Sequence, residues 1–112
     1  MAKKIEAAIN SLKLEELRNA LDKVGYPGMM ITHIEGHGRQ KGFIEETPGN
    51  LKADLRPKIK VEIVVNDKDV KKIVDTIAET VRTGKVGDGK IFVTNIEDVV
   101  RIRTGEKGEK AV

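Results

Sequence analysis

The chain has 112 residues and a formal net charge of +3, with 35% charged and 38% hydrophobic residues. This length suits one domain with a modest core, and no apolar run approaches the roughly 20 residues of a membrane-spanning helix. We therefore expect a soluble protein without membrane insertion. The N-terminal segment turns acidic at Glu6 and lacks the apolar stretch of a secretion signal, and the chain has no cysteine, which favours the reducing cytoplasm. Aromatic residues make up only 3% of the chain, too few to indicate direct nucleic-acid binding.

The first half of the chain predicts a strand, a helix and a second strand. Lys4 to Ile9 reads as a weak opening strand. Ser11 can cap a helix with apolar residues at three- and four-residue spacing that ends at Gly25, and Met29 to Ile34 is a second strand. The apolar positions of this helix are Leu14, Leu17, Leu21 and Val24.

The second half repeats this pattern and adds a short segment. Residues 59–65 alternate in the clearest period-two run of the sequence, which predicts a strand with one buried face. Asn66 or Asp67 caps a second helix that stops before Gly84. Lys90 to Thr94 is a fourth strand, and Val99 to Arg103 a short fifth. The order β-α-β-β-α-β indicates a ferredoxin-like α+β sandwich with both helices on one face of an antiparallel sheet.

The glycine-rich segment Thr83–Lys90 matches a phosphate-binding P-loop only in part. Ile91 stands where a P-loop needs a Ser or Thr hydroxyl, and the segment leads from a helix into a strand, which is the reverse of the P-loop order. Two interpretations stay open: a cradle in which backbone amides, Lys85 and Lys90 hold an anion, or an ordinary connection.

Two further regions carry candidate site residues. In the predicted fifth strand, Arg101 and Arg103 would project on one side about 6–7 Å apart, as a polyphosphate clamp or as part of a solvated polar face. Residues 36–56 form a long stretch without sustained periodicity, which is typical of a functional or disordered loop, and Arg39, Gln40 and Lys41 there would suit an acidic small ligand. His33 and His37 lack a third ligand for a metal site.

Four segments give the chain a specific resemblance to a known family. They are G-H-G-R-Q-K-G at 36–42, R-P-K-I-K-V-E-I-V-V at 56–65, R-T-G-K-V-G-D-G-K-I-F-V at 82–93 and V-V-R-I-R-T-G at 99–105. Together they resemble the PII nitrogen-regulatory signal-transduction proteins over nearly the whole chain. The resemblance implies one domain over residues 1–112 that assembles as a homotrimer and binds ATP or ADP in each cleft between subunits. It also implies a T-loop at about 37–56 that contacts target proteins, a B-loop at about 83–90 and a C-terminal loop at about 102–112.

The resemblance also assigns ligand roles. Around the phosphates and ribose it places Gly38, Arg39, Gly87, Asp88, Gly89, Lys90, Arg101 and Arg103, and near the adenine it places Gly28, Glu62 and Val64. Gln40 would help to coordinate Mg²⁺ and 2-oxoglutarate, with the amides of Lys41 and Gly42 completing that site. Lys58 would meet the far carboxylate of the keto acid, so that its replacement would remove keto-acid binding and spare ATP.

Two positions depart from the family pattern. Met30 stands where the family often has a threonine near the adenine, and Leu51 aligns with the tyrosine that many members modify by uridylylation, in a T-loop one residue shorter. We therefore expect a non-enzymatic regulator of nitrogen metabolism that senses ATP, ADP and 2-oxoglutarate by ligand occupancy alone. Two alternatives are a nucleotide-hydrolysing enzyme with Asp88 as its base, and a metal-tolerance protein of the same fold, which would want Cys and His ligands. The target, an ammonium channel or a nitrogen-metabolism enzyme among others, is left open.

Overall fold

A four-stranded antiparallel sheet and two helices make up the part of the chain that the computed structural model describes, residues 1–34 and 57–112. The strands are β1 (Ala2–Asn10), β2 (Met30–Ile34), β3 (Lys58–Asn66) and β4 (Ile91–Asn95). Helix α1 (Leu14–Val24) connects β1 to β2, and helix α2 (Val70–Val81) connects β3 to β4. The spatial order β2-β3-β1-β4 confirms the predicted ferredoxin-like α+β fold.

The core lies between the helices and one face of the sheet. Alternation along β3 sends Ile59, Val61, Ile63 and Val65 to this face, where each is at most 1% exposed. The central strand β1 adds Ile5, which pairs with Ile63. The helices close the core with the residues that recur at helical spacing, namely Leu17, Leu21, Ile73, Ile77 and Val81.

The opposite face of the sheet is polar at its centre. Glu6 and Glu62 stand directly across from each other in the β1–β3 register, an arrangement that is unfavourable for like charges. Lys4 offsets it, because its Nζ lies 3.2 Å from Glu62 Oε2 and 3.6 Å from Glu6 Oε1. Hydrogen bonding to Glu62 is the main cause that raises the pKa of Lys4.

The starts of both helices differ from the predictions. Ser11 does not cap α1: Asn10 is the last extended residue, its side chain accepts a hydrogen bond from the Leu12 amide at 2.9 Å, and Ser11 begins a 3-10 turn ahead of Leu14. Asn66 precedes a similar turn before α2 and makes no side-chain cap. Gly25 ends α1 as predicted, at a φ of 72° that favours glycine.

The prediction of a fifth strand over Val99–Arg103 is wrong. Only a single bridge joins Val100 to Lys107. Beyond it the chain turns back, because the Gly105 amide donates to the Arg101 carbonyl at 2.7 Å and the Arg101 amide to the Glu106 carbonyl at 2.9 Å. A 3-10 turn over Gly108–Ala111 follows.

The described helices are too short and too polar to cross a membrane.

Candidate functional site

The glycine-rich segment 83–90, named the B-loop above, is organised by the carboxylate of Asp88. Its Oδ2 accepts hydrogen bonds from the Thr83 and Gly84 amides, both at 2.9 Å, and its Oδ1 accepts one from the Thr83 hydroxyl at 2.5 Å. The Lys85 amide donates to the Thr83 hydroxyl oxygen at 3.2 Å. Internal hydrogen bonds therefore hold the first half of the loop, and the phosphate-binding residues that the resemblance assigns lie in its second half, residues 87–90.

The same contacts determine the chemistry of Asp88. Burial acts to raise the pKa of this carboxyl, but the hydrogen bonds from Thr83 and Gly84, together with the charge of Lys58, outweigh it and lower the pKa below its ordinary value of 3.8. A general base near neutral pH needs a higher pKa and a lone pair aimed at the substrate. The Asp88 carboxylate acts as a structural hydrogen-bond acceptor. It therefore does not fit the alternative of a nucleotide-hydrolysing enzyme with Asp88 as its base.

Gly89 brings the B-loop into close approach with β1. A Cβ built on this glycine would lie 2.2 Å from the Ala8 carbonyl oxygen, and its φ is +87°, a conformation that L side chains rarely adopt. The loop lies directly against the sheet, and therefore only glycine fits this position.

Lys58 reaches the B-loop from the first residue of β3. The residue is only 6% exposed, and its Nζ donates to the Gly87 carbonyl at 2.5 Å. The structure thus brings together Lys58, Gly87, Asp88, Gly89 and Lys90. The resemblance had assigned the first of these to the keto acid and the other four to the nucleotide.

A second site, an open cleft of about 580 Å³, lies toward the other end of β3. Three of its lining residues, Gly28, Glu62 and Val64, are those assigned to the adenine, and Met30 lines it as well. Apolar side chains dominate the rest of the lining, while Glu62 and Asp98 add carboxylates. The lining residues that sequence reasoning missed are Pro27, Met29, Ile96, Asp98, Val99, Val100, Ala111 and Val112.

No sequence pattern marked these additional lining residues as members of one site. They come from the turn before β2 and from two segments that follow β4, which only the folded chain brings together. The sequence reasoning also missed Lys4. Lys4 lies two residues from Glu6 in β1 and therefore on the same, polar face, which could have suggested that it has an acidic partner on the neighbouring strand. Its Nζ lies 3.2 Å from Oε2 of Glu62, which lines the cleft.

The two parts of the site are separated along one strand. Lys58 begins β3, whereas the cleft residues Glu62 and Val64 lie four and six residues further on, about 13 and 20 Å at the rise of a strand. A single chain therefore holds the cleft and the B-loop apart.

Arg101 and Arg103 do not form the predicted strand clamp. The Arg101 guanidinium pairs with the Glu106 carboxylate at 3.0 Å and donates to the Lys110 carbonyl at 3.3 Å. Arg103 is exposed within the turn that follows. Gly38, Arg39, Gln40, Lys41, Gly42 and Leu51 lie outside the described residues.

Comparisons with known proteins agree on one family. The sequence model of the family "Nitrogen regulatory protein P-II" matches residues 2–106. The chain is 52% identical over 111 residues to nitrogen regulatory protein P-II 2 of Methanothermobacter thermautotrophicus, covering 98% of this chain and 96% of the relative. It is 50% identical to nitrogen regulatory protein P-II 1 of Escherichia coli, covering 98% and 99%.

A solved structure gives the same result at the level of the fold. The crystal structure of Arabidopsis thaliana PII bound to citrate superposes with a TM-score of 0.78 at 39% identity, covering 99% of this chain and 92% of that one. Sequence and fold agree over nearly the whole length, and the chain therefore belongs to the nitrogen regulatory protein P-II family, whose members are regulatory proteins and not enzymes.

Proposed function

We propose that the protein senses ATP or ADP together with 2-oxoglutarate and regulates nitrogen metabolism through target proteins that its T-loop contacts. One observation carries this proposal. Seven of the residues that the family resemblance assigns to a nucleotide fall into two regions, an apolar cleft for a base with Gly28, Glu62 and Val64 and a glycine-rich loop, residues 87–90, beside a buried lysine.

The cleft suits a purine with an exocyclic amine. Gly28 and Val64 line it without a charged side chain, and apolar walls of this kind pack against ring faces. The Glu62 carboxylate accepts hydrogen bonds and donates none, so it favours an amine over a carbonyl at the base edge. Met30 replaces the hydroxyl common in the family with a flexible apolar group.

The B-loop suits phosphate oxygens. Gly89 lets the backbone approach without a side chain in the way, and Lys90 beside it is exposed and can contribute its charge. Arg101 and Arg103 would add charge-assisted hydrogen bonds. Arg101 would do so in exchange for its present contact with Glu106.

A second copy of the chain would complete each site. The cleft residues Glu62 and Val64 lie about 13 and 20 Å along β3 from Lys58, which contacts the B-loop, and we infer that the B-loop of a neighbour meets a nucleotide in the cleft. Exposed apolar residues on the outer sheet face, Met30 at 56% and Phe92 at 54%, are suited to burial against copies of the chain. This arrangement fits the homotrimer expected for the family.

The remaining assignments come from the resemblance. They give Mg²⁺ and 2-oxoglutarate to Gln40, Lys41 and Gly42, outside the described residues, and to Lys58. Mg²⁺ takes oxygen ligands such as those of phosphates and a keto acid. The Arabidopsis relative was solved with citrate, another small polycarboxylate, which supports the binding of acidic effectors. We propose a cytoplasmic location, consistent with the lack of cysteine.

Calorimetry with ATP, ADP and 2-oxoglutarate tests the proposal. We expect ATP and ADP to bind the parent protein, and 2-oxoglutarate to bind measurably only when MgATP is present. Equal 2-oxoglutarate affinity with and without nucleotide would contradict the shared site. Native mass spectrometry of the same samples should show a trimer, and a monomer that binds nucleotide at full affinity would contradict completion by a second copy.

A further inference from the structure

Lys58 contacts the B-loop directly. Among residues 1–34 and 57–112 it is the one buried charged side chain, and burial of a charge is costly unless polar partners compensate it. Its hydrogen bond to the Gly87 carbonyl at 2.5 Å supplies such a partner. The sequence separation of 29 residues makes this a tertiary contact between the start of β3 and the loop that follows α2.

This contact fixes more than one atom of the loop. The Gly87 carbonyl and the Asp88 amide belong to one planar trans peptide unit and point in opposite directions. The Asp88 amide in turn donates to the Lys85 carbonyl at 3.4 Å. The unit is thus held at both ends, and its orientation sets where the glycines on either side of Asp88 direct their backbone groups.

Glycine makes such an anchor necessary. Gly87 has a φ of 104° and Gly89 one of +87°, and glycine loses more conformational freedom on ordering than any other residue. A loop of this composition needs fixed points, and the Asp88 carboxylate supplies one for its first half and the Lys58 ammonium another for its second half.

We propose that Lys58 is a positioning residue of the nucleotide site, whose buried ammonium holds the Gly87 carbonyl and preorganises residues 87–90 for phosphate. The inference rests on the proposed function and deepens it. It reverses the expectation that loss of Lys58 would spare nucleotide binding.

The test compares ADP binding to Lys58→Met and Lys71→Met in the absence of any keto acid. Methionine keeps the length of the side chain and tolerates burial, whereas the charge and the donors are lost. Lys71 lies on α2 with a side chain 87% exposed, paired with Asp75, and serves as the matched control. We expect Lys58→Met to weaken ADP by about tenfold or more, Lys58→Arg to restore part of the affinity, and Lys71→Met to bind like the parent.

A second measurement separates positioning from general stability. The backbone amide resonances of Gly87, Asp88 and Gly89 in the ligand-free protein should shift in Lys58→Met, while those of α1 stay in place. Unchanged ADP affinity together with unchanged resonances at 87–89 overturns the inference. If the parent itself fails to bind ADP, the proposed function fails, and the resonances then decide alone whether Lys58 positions the loop.

Discussion

The two ends of β3 serve the candidate site by different physical means. At its start, Lys58 and Asp88 hold the B-loop with directed hydrogen bonds to backbone atoms. Toward its other end, Glu62 and Val64 form part of an open and mainly apolar cleft. The phosphate end depends on the position of each backbone group, whereas the cleft depends on shape and on one carboxylate.

This difference predicts different responses to substitution. Hydrogen bonds to charged groups are strongly distance-dependent, so a small displacement of the B-loop should disable it. An apolar cleft is more tolerant, because contact with a ring face is weakly directional. Changes at the B-loop should therefore alter both stability and binding, and changes in the cleft should alter binding alone.

The largest effect is expected for Gly89→Ala. Its Cβ would lie 2.2 Å from the Ala8 carbonyl oxygen, and its φ is +87°, so overpacking against backbone and conformational strain act together. We expect the free energy of unfolding to fall by about 2–4 kcal/mol, measured by urea denaturation. Gly84→Ala is the control: its φ is +81° with nothing within 4 Å, so only the strain of about 1 kcal/mol remains. Equal losses in the two variants would show that the close approach to β1 is unimportant.

An intermediate effect is expected for Asp88→Asn, which keeps the shape but removes the charge that holds Thr83 and Gly84. The loss should be about 1–2 kcal/mol near neutral pH. Because the pKa of Asp88 is lowered in the folded state, its contribution is present above the ordinary value of 3.8 and is lost as the pH falls through the folded pKa. Urea denaturation of parent and variant should therefore differ at neutral pH and converge well below pH 3.8. A difference that is constant across this range would contradict the role of the charge.

The smallest effect is expected for Glu62→Gln in the cleft. ADP affinity should fall by about five- to tenfold, since one charged acceptor is replaced by a neutral one. Stability should change by less than about 0.5 kcal/mol, because the loss of the ion pairs with Lys4 and Lys60 is offset by relief of repulsion from Glu6 across the strands. Calorimetry provides the affinity, with Glu16→Gln on α1 as an exposed control that pairs with Lys13 at 3.8 Å. A large loss of stability in Glu62→Gln would remove the distinction between the two ends of β3.

The sequence by itself determined the elements of the fold. Alternation along residues 59–65 and the three- and four-residue spacing in α1 and α2 each reflect a local geometry that buries one face. Chain order then limited the topology to the ferredoxin-like arrangement. Motifs such as T-G-K-V-G-D-G-K identified the family and with it the candidate residues.

Only the tertiary structure decided which partner each hydrogen-bonding group meets. The alternation in V-V-R-I-R favoured a fifth strand, but a strand needs a neighbour, and the chain turns back at Arg101–Gly105 instead. Asn10 replaced Ser11 as the cap because β1 stays extended through Asn10.

The candidate site shows the same limit. The family resemblance assigned roles to Asp88 and Lys58, but it did not indicate that the first accepts from Thr83 and Gly84 or that the second holds Gly87. The contact of Lys58 with Gly87 joins residues 29 positions apart, and no local periodicity encodes it. Spacing along the chain specifies which face a side chain occupies, whereas the partner that meets it there depends on how the helices and strands pack.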